Sequence, residues 1–169
     1  VAARRAAALT NRMLAYSGRG GLAVGATDLN ALVGENAAML RASTAKTASL
    51  NVSLTQGLPE VVADAAQLQQ VVMNLITNAS EALGDRAGTI TLSTGVAECD
   101  ARYLSRSALA DKPAPGRFVW FEVSDTGCGM STETQRRLFD PFFTTKFTGR
   151  GLGMSAVQGI VRGHRGAIV

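Results

Sequence analysis

Hydrophobic positions along this chain recur with two spacings, one typical of helices and the other of strands. Spacings of three and four residues predict four helices, at 2–17, 28–41, 64–83 and 152–162. Alternation of apolar and polar residues predicts strands at 49–55, 89–96 and 117–124. The order of these elements favours an α+β fold, a two-layer sandwich in which helices cover one face of a sheet.

The helix at 64–83 has the clearest boundaries. Asp64 is the expected N-cap, and Gln67 three residues later completes the spacing of a capping box. We predict that the helix ends near Gly84. Its apolar stripe consists of Leu68, Val72, Leu75, Ala79 and Leu83.

Residues 2–17 carry a heptad-like seam that lasts barely two heptads. This pattern fits the end of a longer helix, and a terminal helix packed on its own domain is the alternative. The glycines that follow predict a linker over 18–27. Because the chain begins with Val1 and shows no signal-peptide pattern, we expect a fragment of a longer protein.

Composition excludes several classes of protein. A hydrophobic share of 46% argues against a disordered chain, and no apolar run reaches the length of a membrane-spanning helix. The formal charge of +4 comes from scattered basic residues, and aromatic residues make up only 5%, so we do not expect nucleic acid as the main ligand. Cys99 and Cys128 form no disulfide framework, which favours a reducing, intracellular setting.

Two segments carry candidate chemistry on or beside predicted regular elements. Asn74 and Asn78 form, with Glu81, a polar stripe on helix 64–83, and an amide oxygen is a suitable ligand for Mg²⁺; a solvated helix face is the alternative. Asp125 leaves an apolar strand, where it could accept a hydrogen bond from an amino group such as that of adenine. Gly127 and Gly129 would let the backbone turn tightly beside it. The alternative is that these residues form an ordinary turn with no binding role.

Two further segments follow. Residues 139–146, FDPFFTTK, fit a segment anchored by aromatic burial that leaves as a mobile loop, or a hydrophobic plug under a loop. Residues 149–154, GRGLGM, lead into a helix, whose N-terminal amides form an anion site suited to a phosphate chain. A Rossmann fingerprint is rejected because no strand precedes this turn, and a Walker A loop because Gly-Lys-Ser/Thr is missing.

In this order, the four segments resemble the ATP-binding domain of sensor histidine kinases. That domain belongs to a superfamily shared with DNA gyrase, mismatch-repair ATPases and the ninety-kilodalton heat-shock chaperones. Residues 67–83, QLQQVVMNLITNASEAL, resemble its N box; DTGCGM resembles the G1 box, FDPFFTTK the F box and GRGLGMSAVQGIVRGH the G2 box. The resemblance covers 28–169 and implies a Bergerat-type sandwich with a mixed sheet, lacking its last strands. Residues 1–17 resemble the end of the dimerisation and phosphoacceptor hairpin.

The resemblance also implies a role for each matching residue. Asn78 would bind the Mg²⁺ that bridges the phosphates of ATP, with Asn74 beside it. Asp125 would hold the adenine amino group in a pocket shaped by Gly127 and Gly129. Lys146 would lie on the ATP lid, as a third catalytic candidate. The phosphate-binding hinge would consist of Gly149, Arg150, Gly151, Leu152 and Gly153.

The implied function is transfer of the γ-phosphoryl group of Mg-ATP to a histidine on an upstream helix absent from this chain, and then to a response-regulator receiver domain. The full-length protein would be a homodimer, with this domain in the cytoplasm and membrane anchoring of the parent left open. Asn74 stands where hydrolytic branches have a water-activating Glu, which favours phosphoryl transfer. His164, at a helix end, is not the expected acceptor. The alternatives are a serine kinase of the anti-sigma-factor type and a non-catalytic nucleotide- or partner-binding module.

Overall fold

The computed structural model describes residues 23–43, 48–145 and 151–169. The helix predicted at 2–17 and the first part of the linker lie outside these residues. The described elements are, in order, β1 (Gly25–Thr27), α1 (Leu29–Ser43), β2 (Ala48–Ser53), β3 (Val61–Ala63), α2 (Ala65–Leu83), β4 (Gly88–Cys99), α3 (Ala101–Leu104), β5 (Gly116–Asp125), α4 (Thr132–Arg137) and α5 (Gly153–Gly163).

The chain divides into two compact units. The first, called the sheet unit here, comprises Ala23–Asp100 and Pro115–Gly129. The second, called the helical unit, has as its described parts 101–114, 130–145 and 151–169. The assignment of 28–169 to a single ATP-binding domain stays a prediction.

The sheet unit contains a mixed sheet of three strands in the order β2-β4-β5. β2 runs parallel to β4, with Leu50 opposite Ile90, and β4 runs antiparallel to β5, with Leu92 opposite Val123. β1 and β3 form a separate antiparallel pair. The predicted α+β class with a mixed sheet is confirmed, while the short second sheet was not expected.

Caps and apolar spacing explain both helices of the sheet unit. The Asp28 carboxylate accepts a hydrogen bond from the Ala31 N–H at 3.1 Å at the start of α1. Asp64 does the same for α2, where its carboxylate accepts from the Gln67 N–H at 3.1 Å, as the capping-box spacing predicted. α2 ends at Gly84, whose φ of 59° and ψ of −133° lie in a region of backbone conformation that is open almost only to glycine.

The core of the sheet unit lies between these helices and one face of the sheet. Side chains at alternate positions of β2, β4 and β5 reach this core, as the alternation predicted. Its buried members are Leu29, Val33, Ala37, Val72, Ile76, Ala79, Leu83, Ile90 and Leu92. The predicted apolar stripe of α2 is wrong at one position. We expected Leu75 to be buried, but Ile76 is buried and Leu75 is half-buried.

The helical unit is built on α5, whose side chains Ala156, Val157 and Ile160 are buried. The C-terminal segment is bound to the loop after α3: the Ala108 N–H donates to the Ile168 carbonyl oxygen at 2.7 Å. The Ile168 N–H in turn donates to Ser107 Oγ at 3.2 Å. Of the helices within the described ranges, none is both long and apolar enough to cross a membrane.

Candidate functional site

The polar face of α2 carries the two asparagines that the sequence singled out. Asn74 and Asn78 are both half-buried. They are four residues apart, so their side chains lie about 40° apart around the helix axis. The core-facing residues Val72, Ile76 and Ala79 point elsewhere on the helix. The two amides therefore share one face, and the same face continues one turn further to Ala82.

Asp125 is the last residue of β5 and begins a turn that is hydrogen-bonded to itself and to β4. Its carboxylate Oδ1 accepts from the Gly127 N–H at 2.8 Å. Thr126 is tied to the neighbouring strand twice, since its N–H donates to the Thr89 carbonyl oxygen at 3.1 Å and its Oγ1 accepts from the Thr89 N–H at 3.0 Å. Oδ2 of Asp125 accepts no hydrogen bond from the described residues. The carboxylate is exposed and held in one orientation, with one oxygen left for a ligand donor.

The same turn docks main chain to main chain on α2. The Cys128 N–H donates to the Ala82 carbonyl oxygen at 3.0 Å. Gly127 lies so close that an added Cβ would be 2.6 Å from both the carbonyl carbon and the oxygen of Ala82. Gly129 then adopts a φ of 67°. This contact places the turn after Asp125 one helical turn beyond Asn78, so the structure brings these two predicted groups together.

In the helical unit, α4 and the Phe-rich segment are joined through Arg137. Its guanidinium carbon lies 4.3 Å from the centroid of the Phe143 ring, a cation–π distance. Arg137 Nε is also 3.6 Å from Asp140 Oδ2. The Phe143 N–H donates to the Asp140 carbonyl oxygen at 3.2 Å. The ring of Phe143 is thereby held at the base of the segment that follows.

That segment begins and ends at one backbone contact. The Phe142 N–H donates to the Gly151 carbonyl oxygen at 2.9 Å. Gly151 has a φ of 65°, and an added Cβ would lie 2.6 Å from the carbonyl oxygens of Phe142 and Phe143. Only glycine satisfies both conditions. The main chains of residues 142 and 151 are therefore held together.

α5 starts directly after this contact. Leu152 is its N-cap residue, and its apolar side chain makes no capping hydrogen bond. The N–H groups of a first helical turn point along the helix axis, and such groups can bind a phosphate group. The phosphate-binding role of Leu152 and Gly153 stays a prediction.

The predicted site residues thus fall into three groups. Asn74, Asn78, Asp125, Gly127 and Gly129 lie in the sheet unit and are brought together there. Gly151, Leu152 and Gly153 lie in the helical unit. Lys146, Gly149 and Arg150 lie outside the described residues, so the structure adds nothing about them.

Sequence reasoning missed the residues that fix this geometry. The acceptor at Ala82 is a main-chain carbonyl oxygen. Because every residue has one, the residue type at position 82 could not predict this contact. Thr126 could have been noticed, because a hydroxyl next to a strand end often bonds the neighbouring strand. Arg137 had no sequence signal, since its two partners become neighbours only once the chain has turned.

Few side chains in the described part of the sheet unit could bind the predicted Mg²⁺. Over the described ranges, no group of three or more His, Cys, Asp or Glu side chains could hold a metal ion. The Asn78 amide would supply a single oxygen, and Mg²⁺ commonly completes its shell with phosphate oxygens and water. The residues therefore fit a metal that arrives with a nucleotide, and its binding stays a prediction.

Solved structures define the class to which this fold belongs. Full-length ShkA, crystallised in complex with AMPPNP, has a TM-score of 0.67 and 22% identity, over 92% of this chain and 30% of that one. The catalytic domain of histidine kinase ThkA has a TM-score of 0.62 and 24% identity, over 82% of this chain and 80% of that one. The chain therefore has the fold of histidine kinase catalytic domains.

The family follows from the sequence match. The profile described as "Histidine kinase-, DNA gyrase B-, and HSP90-like ATPase" matches residues 63–169, and the chain belongs to this family. Sensor kinase CckA of Brucella abortus is 36% identical over 98% of this chain and 17% of its own length. The histidine kinase/phosphatase NtrB of Rhizobium meliloti is 38% identical over 83% of this chain and 36% of its length. The chain thus spans well under two thirds of these relatives.

Proposed function

We propose that this chain is the ATP-binding catalytic part of a sensor histidine kinase, which transfers the γ-phosphoryl group of Mg-ATP to a histidine on another segment of the full-length protein. The observation that carries the proposal is the docking of the turn after Asp125 on α2, one turn beyond Asn78. This contact connects the turn that carries the carboxylate proposed for adenine with the helix that carries the amide proposed for Mg²⁺. Membership of the ATPase family supports the same conclusion.

Asp125 is the residue that would recognise the base. Its Oδ1 is used by the Gly127 N–H, which leaves Oδ2 to accept a hydrogen bond from an exocyclic amino group. Gly127 and Gly129 keep the turn flat and free of side chains, so a planar ring can approach the backbone. A base with a carbonyl oxygen in place of that amino group would meet a carboxylate that cannot donate.

The phosphate groups would be held by amides and by the metal. Asn78 would supply one oxygen to Mg²⁺, which neutralises charge on the phosphates when it is bound. In the helical unit, the hinge Gly149, Arg150, Gly151, Leu152 and Gly153 would direct N–H groups at the phosphate chain. Lys146, which precedes this hinge in the sequence, would add a positive charge.

Asn74 decides the proposed class of reaction. A carboxamide cannot accept a proton from water near neutral pH, whereas a carboxylate can act as a general base. With Asn at this position of α2, the site holds ATP without activating a water molecule. We therefore propose slow hydrolysis and transfer to a protein acceptor.

The proposed partners follow from the class of protein. The neighbour ThkA was solved in complex with the response regulator TrrA. We propose that this chain likewise serves a response regulator, that the full-length protein is a homodimer, and that its phosphoacceptor histidine lies on an upstream helix. ATP as the substrate supports a cytoplasmic location, and the free cysteines Cys99 and Cys128 are compatible with it.

Titration calorimetry with Mg-ADP tests the site. Asp125→Asn should weaken binding by about 10- to 100-fold, because a hydrogen bond to a charged group contributes roughly 1.5–3 kcal/mol. Glu122→Gln is the matched control, since it removes an exposed carboxylate from the same strand and should leave affinity unchanged. Equal affinity for Asp125→Asn and the wild type would overturn the adenine assignment.

A kinetic experiment tests the reaction. Asn74→Glu should raise the rate of ATP hydrolysis by about tenfold or more, because it adds a general base beside the phosphates. Asn74→Gln, a longer side chain without a basic group, should not. Equal rates for the two variants would contradict the role given to Asn74. Tight binding with no transfer to an added phosphoacceptor helix would favour a non-catalytic module instead.

A further inference from the structure

A second candidate site lies at the C-terminal end of α5. The helical unit contains an open cavity of about 270 Å³ there, which is large enough for a small organic anion. It has three cationic side chains against one carboxylate. The lining residues are Asp111, Lys112, Pro113, Ala114, Arg162, Arg165 and Gly166.

The charges of the two arginines have no partner in the part of the chain that the structure describes. Among the described residues, neither Arg162 nor Arg165 makes an ion pair or a side-chain hydrogen bond. Lys112 is different, because its ammonium group donates to the carbonyl oxygens of Ser107 and Leu109, and these contacts fix it at the cavity wall. The cavity therefore has one anchored cation and two guanidinium groups free to bind an external anion.

The backbone at Arg165 gives an independent indication. The end of α5 forms a Schellman motif, in which the Gly166 N–H donates to the Val161 carbonyl oxygen at 2.9 Å and the Arg165 N–H to that of Arg162 at 3.0 Å. This motif places Arg165 in the left-handed region, with a φ of 55°. Glycine usually occupies that position because a Cβ is unfavourable there.

Favourable electrostatics at a helix C-terminus do not by themselves explain why position 165 is an arginine. Cations near a helix C-terminus are favourable, and Arg162 in the last turn of α5 already supplies one. Glycine at position 165 would form the same motif with less strain. A non-glycine residue in the left-handed region that also lines a cavity is the pattern expected where its side chain binds something.

We propose that this cavity binds a small dianion, a phosphate monoester or a dicarboxylate, through the guanidinium groups of Arg162 and Arg165. The planar fork of an arginine matches two acidic oxygens at once. The cavity lies at the opposite end of α5 from Gly153, about 15 Å away along an 11-residue helix. It is distinct from the phosphate-binding residues proposed at the start of α5 and does not depend on them.

Calorimetric titration of the whole chain with inorganic phosphate and with succinate tests the proposal. Saturating Mg-ADP and constant ionic strength suppress binding of the probe at the nucleotide residues. Arg162→Gln and Arg165→Gly should each weaken binding by about tenfold or more, since each removes a charged hydrogen-bonding group. Arg117→Gln, an exposed arginine on β5, is the matched control and should bind like the wild type.

Arg165→Gly also distinguishes loss of anion binding from loss of the folded state. Because glycine relieves the left-handed strain, this variant should melt about 2–4 °C higher than the wild type while losing the anion. Binding of phosphate alone assigns a phosphoryl group, and binding of succinate alone assigns a pair of carboxylates. Binding of neither probe, or binding that survives in both Arg162→Gln and Arg165→Gly, would overturn the proposal.

Discussion

The contact between Gly127 and α2 predicts a large effect from one methyl group. In Gly127→Ala, the added Cβ would lie 2.6 Å from the main-chain carbonyl of Ala82, which belongs to a helix and cannot move alone. The turn must therefore shift and lose the hydrogen bond from the Cys128 N–H. Overpacking costs about 1–3 kcal/mol and the lost bond about 0.5–1.5, so the free energy of unfolding should fall by about 2–4 kcal/mol.

Urea unfolding measures this difference, and a glycine at the other end of β5 provides the control. With a slope of about 2 kcal/mol per molar, the midpoint for Gly127→Ala should fall by about 1–2 M. An added Cβ at Gly116 has no described atom within 4 Å. Gly116→Ala should therefore unfold at the same or a slightly higher urea concentration, since alanine restricts the unfolded chain. A midpoint for Gly127→Ala within the error of the wild type would refute the steric argument.

Three substitutions test other contacts by the same unfolding measurement. Asn30→Leu should cost about 2–3 kcal/mol, because it removes the acceptor of the buried Thr94 hydroxyl, which donates to Asn30 Oδ1 at 2.7 Å, and the Nδ2 donor to the Thr55 carbonyl oxygen. Asn36→Leu, on the same helix, should cost less, about 0–1 kcal/mol, because its Oδ1 is buried without a partner among the described residues and only the bond from Nδ2 to the Leu32 carbonyl oxygen is lost; a loss as large as that of Asn30→Leu would contradict this. Gly151→Ala should cost about 2–4 kcal/mol by forcing a Cβ against the Phe142 carbonyl, and an unchanged midpoint would show that the main chains of residues 142 and 151 are not held together as described.

Elements set by local signals were predictable from the sequence. The start of α2 depends on Asp64 and Gln67, which are three residues apart, and its end depends on Gly84. The strands β4 and β5 followed from alternation that the core then confirmed. These features need only the residues within one or two turns, so their pattern survives in the sequence.

Elements that depend on distant partners were missed. β1 is only three residues long and lies within the predicted linker. It is stabilised by pairing with β3, about 36 positions later in the sequence. In this pair Thr27 lies opposite Val61, and its hydroxyl donates to the Ala63 carbonyl oxygen. α4 has no buried residue and so no apolar period to detect. The burial of Ile76 in place of Leu75 depends on how α2 is rotated against the sheet, which neighbouring packing decides.

At two glycines, Gly127 and Gly151, an added Cβ would lie within 2.6 Å of main-chain atoms of another segment, so both glycines are needed by the fold whether or not a ligand is bound. Each allows one backbone to touch another, α2 in the first case and the Phe142 carbonyl in the second. Loss of nucleotide binding on substitution of either would follow from a displaced backbone alone, and so would not identify a contact with the ligand. Asp125→Asn keeps the shape of the side chain, and Asn74→Glu and Asn74→Gln have the same length as each other, so these comparisons do not depend on a displaced backbone. The evidence for a kinase site therefore has to come from these two residues, through the base that Asp125 would recognise and the water that Asn74 would leave unactivated.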